Sequence, residues 1–154
     1  MKRPDLIVYD FDGVMTDNRV LVDQDGKEAV FASRADGYGV TRIREMGIPQ
    51  IILSTEVNPV VEMRGMKLNI HVIHGVKQKE ITLKKYLDDN NINPENVMYV
   101  GNDLNDYEAM MLVGFRCAPK DAEPEIIDIA DWVSRKNGGY GVIRELYREL
   151  SEEE

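Results

Sequence analysis

Cysteine, tryptophan and positive charge are all scarce in this chain: one Cys, one Trp, and 19 Lys and Arg against 28 Asp and Glu among 154 residues. Cys117 has no partner for an internal disulfide, which agrees with a reducing compartment, so a cytoplasmic location is expected. Long apolar runs are missing too. Nothing approaches the roughly eighteen apolar residues of a membrane helix, and Met1-Lys2-Arg3-Pro4-Asp5 enters a strand pattern without a signal-peptide core, so neither membrane nor export is indicated. A net charge of −9 argues against nucleic acid, whose phosphates are gripped by clustered cations. A small anionic substrate stays open, because the local charge of a cleft can oppose the global sign. Hydrophobic content of 43% and charged content of 31% are ordinary for a globular protein, and the length suits a single domain over 1–154. Repeats, low-complexity stretches and linkers are absent; Ser151-Glu152-Glu153-Glu154 reads as a solvated, frayed end.

Short apolar runs alternate with helical patterns. Ile7-Val8-Tyr9, Ile51-Ile52-Leu53, Val72-Ile73 and Val97-Met98-Tyr99-Val100 predict strands, with shorter ones at Phe115-Arg116-Cys117 and Trp132-Val133. Helices are predicted from Asp36 to Met46, after an Asn58 cap with Pro59 at the first helical position, and from Asp121 to Ile129 with capping chemistry at its start. Another is marked by the stripe Ile143, Leu146, Tyr147 and Leu150. The alternation predicts an α/β fold, a Rossmann-like parallel sheet with helices on both faces, in which ligands bind beyond the carboxyl ends of the strands. One segment breaks the pattern: Arg19-Val20-Leu21-Val22 and Ala29-Val30-Phe31, joined through Asp23-Gln24-Asp25-Gly26, predict a β-hairpin over about 19–31. Its strands are apolar at consecutive positions, so both faces call for cover, which a second subunit, or the chain's own domain if the hairpin folds back, would supply.

Chemistry gathers at the strand ends. Asp10-Phe11-Asp12-Gly13 places two carboxylates one residue apart, on the same side, where a metal and a phosphate can meet. Ser54-Thr55 ends another strand with a hydroxyl and free N–H groups suited to phosphate oxygens. Gly75-Val76-Lys77-Gln78-Lys79 puts cations near a helix start, where the helix dipole gives them nothing, which points to another duty. Gly101-Asn102-Asp103-Leu104-Asn105-Asp106 again delivers acids at a strand end.

These four motifs, in this order, resemble the haloacid dehalogenase superfamily of aspartate-nucleophile phosphatases: Asp10 and Asp12 match the first motif, Ser54 the second, Lys79 the third and 101–106 the fourth. The resemblance implies Asp10 as nucleophile, forming an aspartyl phosphate, and Asp12 as the acid and base that serves the leaving alkoxide and then the water. It implies Ser54 and Lys79 on the phosphoryl oxygens, with Asp106 orienting Lys79 or a metal-bound water. Mg²⁺ is expected on Asp10, the main-chain carbonyl of Asp12 and Asp103, all hard oxygen donors.

Only 42 positions separate Asp12 from Ser54 and 25 separate Ser54 from Lys79, which leaves no room for the separate cap domain that most members of this superfamily use. The resemblance to capless members implies a homotetramer in which the hairpin closes a neighbouring active site. Arg34-Ala35-Asp36-Gly37-Tyr38-Gly39 and Gly138-Gly139-Tyr140-Gly141-Val142-Ile143-Arg144-Glu145 resemble segments of the branch acting on eight- and nine-carbon 2-keto-3-deoxy sugar acids. Thr55-Glu56 stands where octulosonate (KDO) 8-phosphate phosphatases usually carry Gly-Arg, and Asn102 where they commonly show Asp. With Arg64 and Lys67 on the next helix, these departures imply 2-keto-3-deoxy-D-glycero-D-galacto-nononic acid (KDN) 9-phosphate, a phosphorylated sialic acid relative. KDO 8-phosphate and N-acetylneuraminate 9-phosphate are the alternatives. Thr55, Glu56, Arg64 and Lys67 are the expected specificity residues, the cations pairing with the substrate carboxylate.

Other residues carry plainer expectations. His71 and His74 lie three apart, on opposite faces of a strand, and are expected in structural or surface roles. Met110, Met111 and Cys117 are expected to fill core. Two rival classes combine similar residues: a phosphorylated receiver domain, which expects adjacent first acids, and a non-catalytic oligomerisation module of sialic acid activation, against which the intact acids and lysine argue.

Overall fold

In the computed structural model, which describes residues 1–152, the six predicted core strands all form and join one sheet. They are β1 (Leu6–Tyr9), β4 (Gln50–Leu53), β5 (His71–Ile73), β6 (Val97–Val100), β7 (Phe115–Ala118) and β8 (Trp132–Val133); the hairpin strands β2 (Leu21–Val22) and β3 (Glu28–Ala29) stand apart. The sheet order is β5-β4-β1-β6-β7-β8 and every neighbouring pair is parallel. Strands buried on both faces need continuous apolar runs, which is why β1 and β6 are buried along their whole length.

Alternation then sorts the helices. Ile7 and Tyr9 of β1 face α1 (Arg34–Glu45), α2 (Val60–Leu68) and α6 (Val142–Ser151), through Val40, Ile43, Val61, Ile143, Leu146 and Leu150. Leu6 and Val8 face α3 (Lys79–Asp89), α4 (Leu104–Met111) and α5 (Pro124–Ile129), through Leu83, Leu87, Ala109, Met110 and Ile126. Each of these Val, Leu, Ile and Met side chains, fully buried, contributes roughly 1.5–3 kcal/mol of apolar transfer. After β1 the chain builds β4 and β5 on one side, then crosses to β6 on the other, so a crevice opens beyond the carboxyl end of β1.

Several boundaries differ from the sequence reading. The hairpin strands are two residues each, because Asp23 draws the turn together by accepting the N–H groups of Asp25 and Lys27, both at 2.9 Å, and Val20 and Phe31 fall outside the ladder. The helix expected from Asp36 starts at Arg34, capped by Ser33, whose Oγ accepts the Ala35 N–H at 3.1 Å. The cap of the next helix is Pro59 rather than Asn58, so the proline stands before the first helical residue and not on it; Asn58 Oδ1, one residue further out, accepts the Val60 N–H at 3.0 Å. Asp121 does not cap α5: that helix begins at Pro124, and Asp121 instead accepts the N–H of Gly138 at 2.8 Å. Met111 is 48% exposed, because α4 turns it away from the sheet, whereas Met110 and Cys117 are buried. His74 lies past the end of β5. Ser151 belongs to α6 and donates its Oγ–H to the carbonyl of Arg148 at 2.9 Å, with Glu152 closing the helix; Glu153 and Glu154 of the expected frayed end lie outside the described residues. Among the described residues no helix is long and apolar enough to cross a membrane.

Candidate active site

Asp10 leaves β1 with its N–H still bound to the carbonyl of Val100 at 2.9 Å, which carries the strand's geometry one residue into the crevice. Its Oδ1 accepts the Phe11 N–H at 2.7 Å and an N–H of the Lys79 ammonium at 2.8 Å. Lys79 opens α3 and is 1% exposed; its second partner is Asp106 Oδ1 at 2.7 Å. Asp106 sits at the third position of α4, where a carboxylate reaches back to the helix start, and together with Asp103 it forms a capping box. Four donors converge on Asp106: Lys79 and the Tyr99 hydroxyl on Oδ1, both at 2.7 Å, and the N–H groups of Asn102 and Asp103 on Oδ2 at 3.0 and 3.3 Å. With its acceptor capacity filled, Asp106 is a positioning group for Lys79.

Asp12 is half-buried on the loop after β1. Burial raises its pKa, the charge of Glu56 adds to the rise, and Lys79 offsets part of it, so Asp12 takes a proton more readily than a free carboxylate. Ser54 is buried at the end of β4; its Oγ accepts the Glu56 N–H at 3.1 Å, which leaves the hydroxyl proton available. The Ser54 carbonyl accepts the Val76 N–H at 3.1 Å and the Glu56 carbonyl accepts the Gly75 N–H at 2.8 Å, so the loop carrying Ser54 is laced to the loop that delivers Lys79. Glu56 is half-buried, with Oε1 accepting the Asn58 N–H at 2.7 Å. Thr55 is exposed and accepts from Asn105 Nδ2 at 3.4 Å, across the mouth of the crevice.

Asp10, Asp12, Ser54, Lys79 and Asp106 are therefore drawn to one crevice, with Thr55 and Glu56 at its edge. Arg64 and Lys67 stand apart from the acid cluster on α2: Arg64 donates to the carbonyl of Ser33 at 3.1 Å, and Lys67 is exposed on the helix's last turn. Asp103 is half-buried and spends Oδ1 on the Leu104 N–H at 2.6 Å. His71 stacks on Tyr86 with ring centroids 6.2 Å apart, and His74 Nε2 lies 3.8 Å from Glu62, so the two histidines share no site.

The electrostatics favour a cation. Burial pushes the pKa of Asp10 well above the usual carboxylate range and the charge of Asp106 adds to it, while Lys79 and the Phe11 N–H pull it back. Burial lowers the pKa of Lys79, but Asp10 and Asp106 outweigh it and the net shift is upward, so the ammonium is held. Two carboxylates against one ammonium leave a net negative charge in a buried place, which a divalent ion would neutralise. Among the described residues no three acid, histidine or cysteine side chains gather at one point. The donors on offer are instead Asp10 Oδ2 and the main-chain oxygen of Asp12, hard oxygens of the kind Mg²⁺ takes.

A family model described as haloacid dehalogenase-like hydrolase matches residues 53–146. The chain belongs to that family. This hydrolase is 37% identical over 142 residues to the 3-deoxy-D-manno-octulosonate 8-phosphate phosphatase KdsC of Escherichia coli K12, a match covering 92% of this chain and 76% of that protein. Among solved structures, a Streptomyces avermitilis protein described as a HAD family hydrolase superimposes with a TM-score of 0.91 at 45% identity, covering 94% of this chain and 83% of that one. The 3-deoxy-D-manno-octulosonate 8-phosphate phosphatase of Moraxella catarrhalis, in complex with magnesium, phosphate and KDO, gives 0.93 at 26% identity, over 98% of this chain and 87% of that one. The hydrolase is an enzyme of this family, and the named relatives that match along its length are phosphatases.

The part Tyr99 plays in the hydrolase's site escaped the sequence reading, and the segments 34–39 and 138–145, named there only by resemblance, take on structural roles. Tyr99 looked like strand filling, and only its burial beside α4 reveals a hydroxyl that needs a partner. Asp36 lies on α1 but accepts the N–H groups of Gly141 and Ile143 at 3.3 and 2.8 Å, tying α1 to the start of α6. Gly138 and Gly139 pack under the loop that follows Asp12: a Cβ on Gly138 would fall 1.8 Å from the carbonyl oxygen of Gly13, so no other residue fits. A run of three glycines within four positions was the visible signal.

Proposed function

We propose that this hydrolase is a Mg²⁺-dependent phosphatase that removes the terminal phosphate of a 2-keto-3-deoxy sugar acid through an aspartyl phosphate on Asp10. The observation that supports it best is the 2.8 Å contact between Asp10 and Lys79, in a buried cluster at the carboxyl end of β1 with Asp12 alongside. In this reading Asp10 attacks phosphorus, the P–O ester bond breaks, and Asp12, with its raised pKa, protonates the departing alkoxide. Asp12 then takes a proton from the water that cleaves the acyl phosphate. Ser54 donates its hydroxyl proton to a phosphoryl oxygen, and Lys79, steered by Asp106, offsets the repulsion between nucleophile and phosphate. Mg²⁺ would be held by Asp10, the carbonyl of Asp12 and a donor from the β6 exit, where the sequence reading names Asp103; when bound it supplies positive charge to the transferring phosphoryl group.

Glu56 supports a nine-carbon substrate, KDN 9-phosphate: its charge reaches Asp12, so it would repel an acid group held close to the phosphate and tolerate one held farther away. The named activity of the E. coli relative favours a second reading, KDO 8-phosphate. The exposed Val20, Leu21 and Phe31 support a homotetramer with each hairpin laid over a neighbouring site, and the reduced Cys117 supports action in the cytoplasm. Phosphate release from KDN 9-phosphate, KDO 8-phosphate and N-acetylneuraminate 9-phosphate, with Mg²⁺, tests this. The KDN ester is expected to turn over fastest, Asp10→Asn to lose about a thousandfold or more, and Glu56→Arg to erode the preference. Faster turnover of the KDO ester would transfer the assignment to the second reading, and no release from any of the three would refute the phosphatase.

A further inference from the structure

Helix α6 starts without a cap of its own. Its N-cap is Gly141, at φ +99° and with no side chain to accept the first N–H groups. Asp36 of α1 takes that duty from outside: it is 2% exposed, its Oδ1 accepts the Ile143 N–H at 2.8 Å and its Oδ2 the Gly141 N–H at 3.3 Å. An anion gains from the dipole at a helix start, and a buried carboxylate without such donors would be costly, so Asp36 and the start of α6 hold one another. The two helices meet closely at this point. A Cβ on Gly39 would fall 2.6 Å from the Arg144 nitrogen, and the Arg144 guanidinium lies 4.4 Å over the centre of the Tyr38 ring.

Two residues before Gly141 the chain reaches the loop of Asp12. Gly139 donates its N–H to the Val14 carbonyl at 3.0 Å, and a Cβ on it would fall 2.5 Å from the Asp17 nitrogen. Gly138 lies against the carbonyl of Gly13, the residue after Asp12. The loop itself is one tight turn. The N–H groups of Val14, Met15 and Thr16 all point at the Phe11 carbonyl, at 3.3, 2.9 and 3.3 Å, and the buried Thr16 Oγ1 accepts the Gly13 N–H at 3.1 Å. Main chain rests on main chain here, with no side chain between to absorb a displacement, so a shift of 138–141 passes to Gly13 and to Asp12 beside it.

We propose that Asp36 is a positioning residue for Asp12: by holding the start of α6 it fixes where Gly138 and Gly139 press on the loop, and so where the Asp12 carboxyl stands toward the departing alkoxide. This deepens the phosphatase reading and rests on it. In that reading Asp12 gives its proton to the ester oxygen as the P–O bond breaks, and a misplacement of about 1 Å costs such a step about a hundredfold. Asp36 touches neither substrate nor metal, and its own proton takes no part.

The consequence is selective for the leaving group. A sugar acid departs as an alkoxide and needs the proton, whereas acetate departs from acetyl phosphate as a stable anion and does not. The test compares kcat/KM, which reports the steps through that departure, for KDO 8-phosphate and KDN 9-phosphate against acetyl phosphate, with Mg²⁺ and the full chain. Asp36→Asn keeps the shape but turns an NH₂ toward the N–H of Gly141 or Ile143. It is expected to lose about tenfold or more on the sugar acid esters and to stay within about threefold of the wild type on acetyl phosphate. Unfolded protein lowers both values equally, so the ratio is unaffected by partial misfolding. Gly141→Ala leaves Asp36 in place and has 3.6 Å to the Ala35 Cβ, yet strains the backbone at φ +99°; the same direction of change is expected. Ile126→Ala, in the core on the opposite face of the sheet, is expected to lower stability and leave the ratio as it is. Without any substrate, the amide resonances of Gly13 and Val14 are expected to shift in Asp36→Asn. The proposal is overturned if Asp36→Asn lowers both classes of ester in equal proportion or neither, or if the resonances of 141–144 move while those of Gly13 and Val14 do not. Equal losses in the variant beside an active wild type would leave the phosphatase reading standing and remove Asp36 from it. No phosphate released by the wild type from any ester would refute that reading and this proposal together.

Discussion

The acid cluster behind β1 and the hairpin at 19–31 are opposites. Within the cluster every charge meets a partner inside the same chain: Lys79 holds Asp10 and Asp106, and Asp106 accepts four donors. The hairpin offers Val20, Leu21, Val22 and Phe31 at 52, 65, 55 and 72% exposure, with nothing of its own chain over them. A cluster closed in this way gives chemistry to a single chain. An apolar ribbon left open in this way gives it a surface on which another molecule could gain contact. The difference predicts that a substitution in the cluster acts on the fold, and one in the hairpin acts on association.

Lys79→Met sharpens the contrast most. It leaves two fully buried carboxylates facing each other without their cation, and losing one partner of a buried pair costs about 3–5 kcal/mol. Chemical denaturation is expected to show a loss of that size, together with loss of phosphate release. A loss below about 1 kcal/mol would mean that the cluster relaxes or admits water, and the contrast with the hairpin would break.

Asp36 tests a buried acid without a lysine. It is 2% exposed, and burial raises its pKa to about 6, against the pull of the Ile143 and Gly141 N–H groups and of Arg64. Unfolded, the carboxyl returns to about 3.9. The folded state therefore binds the proton more tightly, and the stability this adds is fully present below about pH 4 and is lost as pH rises through about 6. A two-unit shift corresponds to about 3 kcal/mol across that window. Asp36→Asn, which cannot ionise, is expected to flatten the pH dependence of unfolding free energy between about pH 4 and 7. An unchanged slope in the variant would reject Asp36 as its source.

What the sequence disclosed follows the reach of its signals. The six core strands could be read because burial on both faces demands unbroken apolar runs, and the acids, hydroxyl and lysine could be placed because each ends a strand or opens a helix. Contacts between distant segments could not be read. Asp36 bonds to Ile143 from 107 positions away, and nothing local to either residue marks the pairing. Asn102 stood out by type, yet its amide bonds to Asp10 and to the carbonyl of Asp12, which only the crossing from β5 to β6 brings alongside. The hairpin was visible as a ribbon but not in its length, because Asp23 holds the turn while no sheet extends the ladder.

The smallest expected effect on the chain's own stability is the most informative about the hairpin. Leu21→Asp places a charge at a site 65% exposed in the single chain, opposite Ala29 in a two-residue ladder. Nothing in the same chain packs on it, so unfolding of dilute protein is expected to shift by no more than about 0.5 kcal/mol. In an oligomer covered by this ribbon, the same carboxylate would be pressed into an apolar contact, and burying it unpaired would cost far more than the exposed chain loses. Sedimentation equilibrium is therefore expected to show a dissociated species for Leu21→Asp where the wild type associates, with phosphate release falling because each crevice loses its cover. Should the variant unfold the chain by several kcal/mol, the hairpin would belong to the core energetics of its own subunit. Should it leave both mass and turnover unchanged, the exposed ribbon would have no partner in another copy, and the crevice would need a different source of cover.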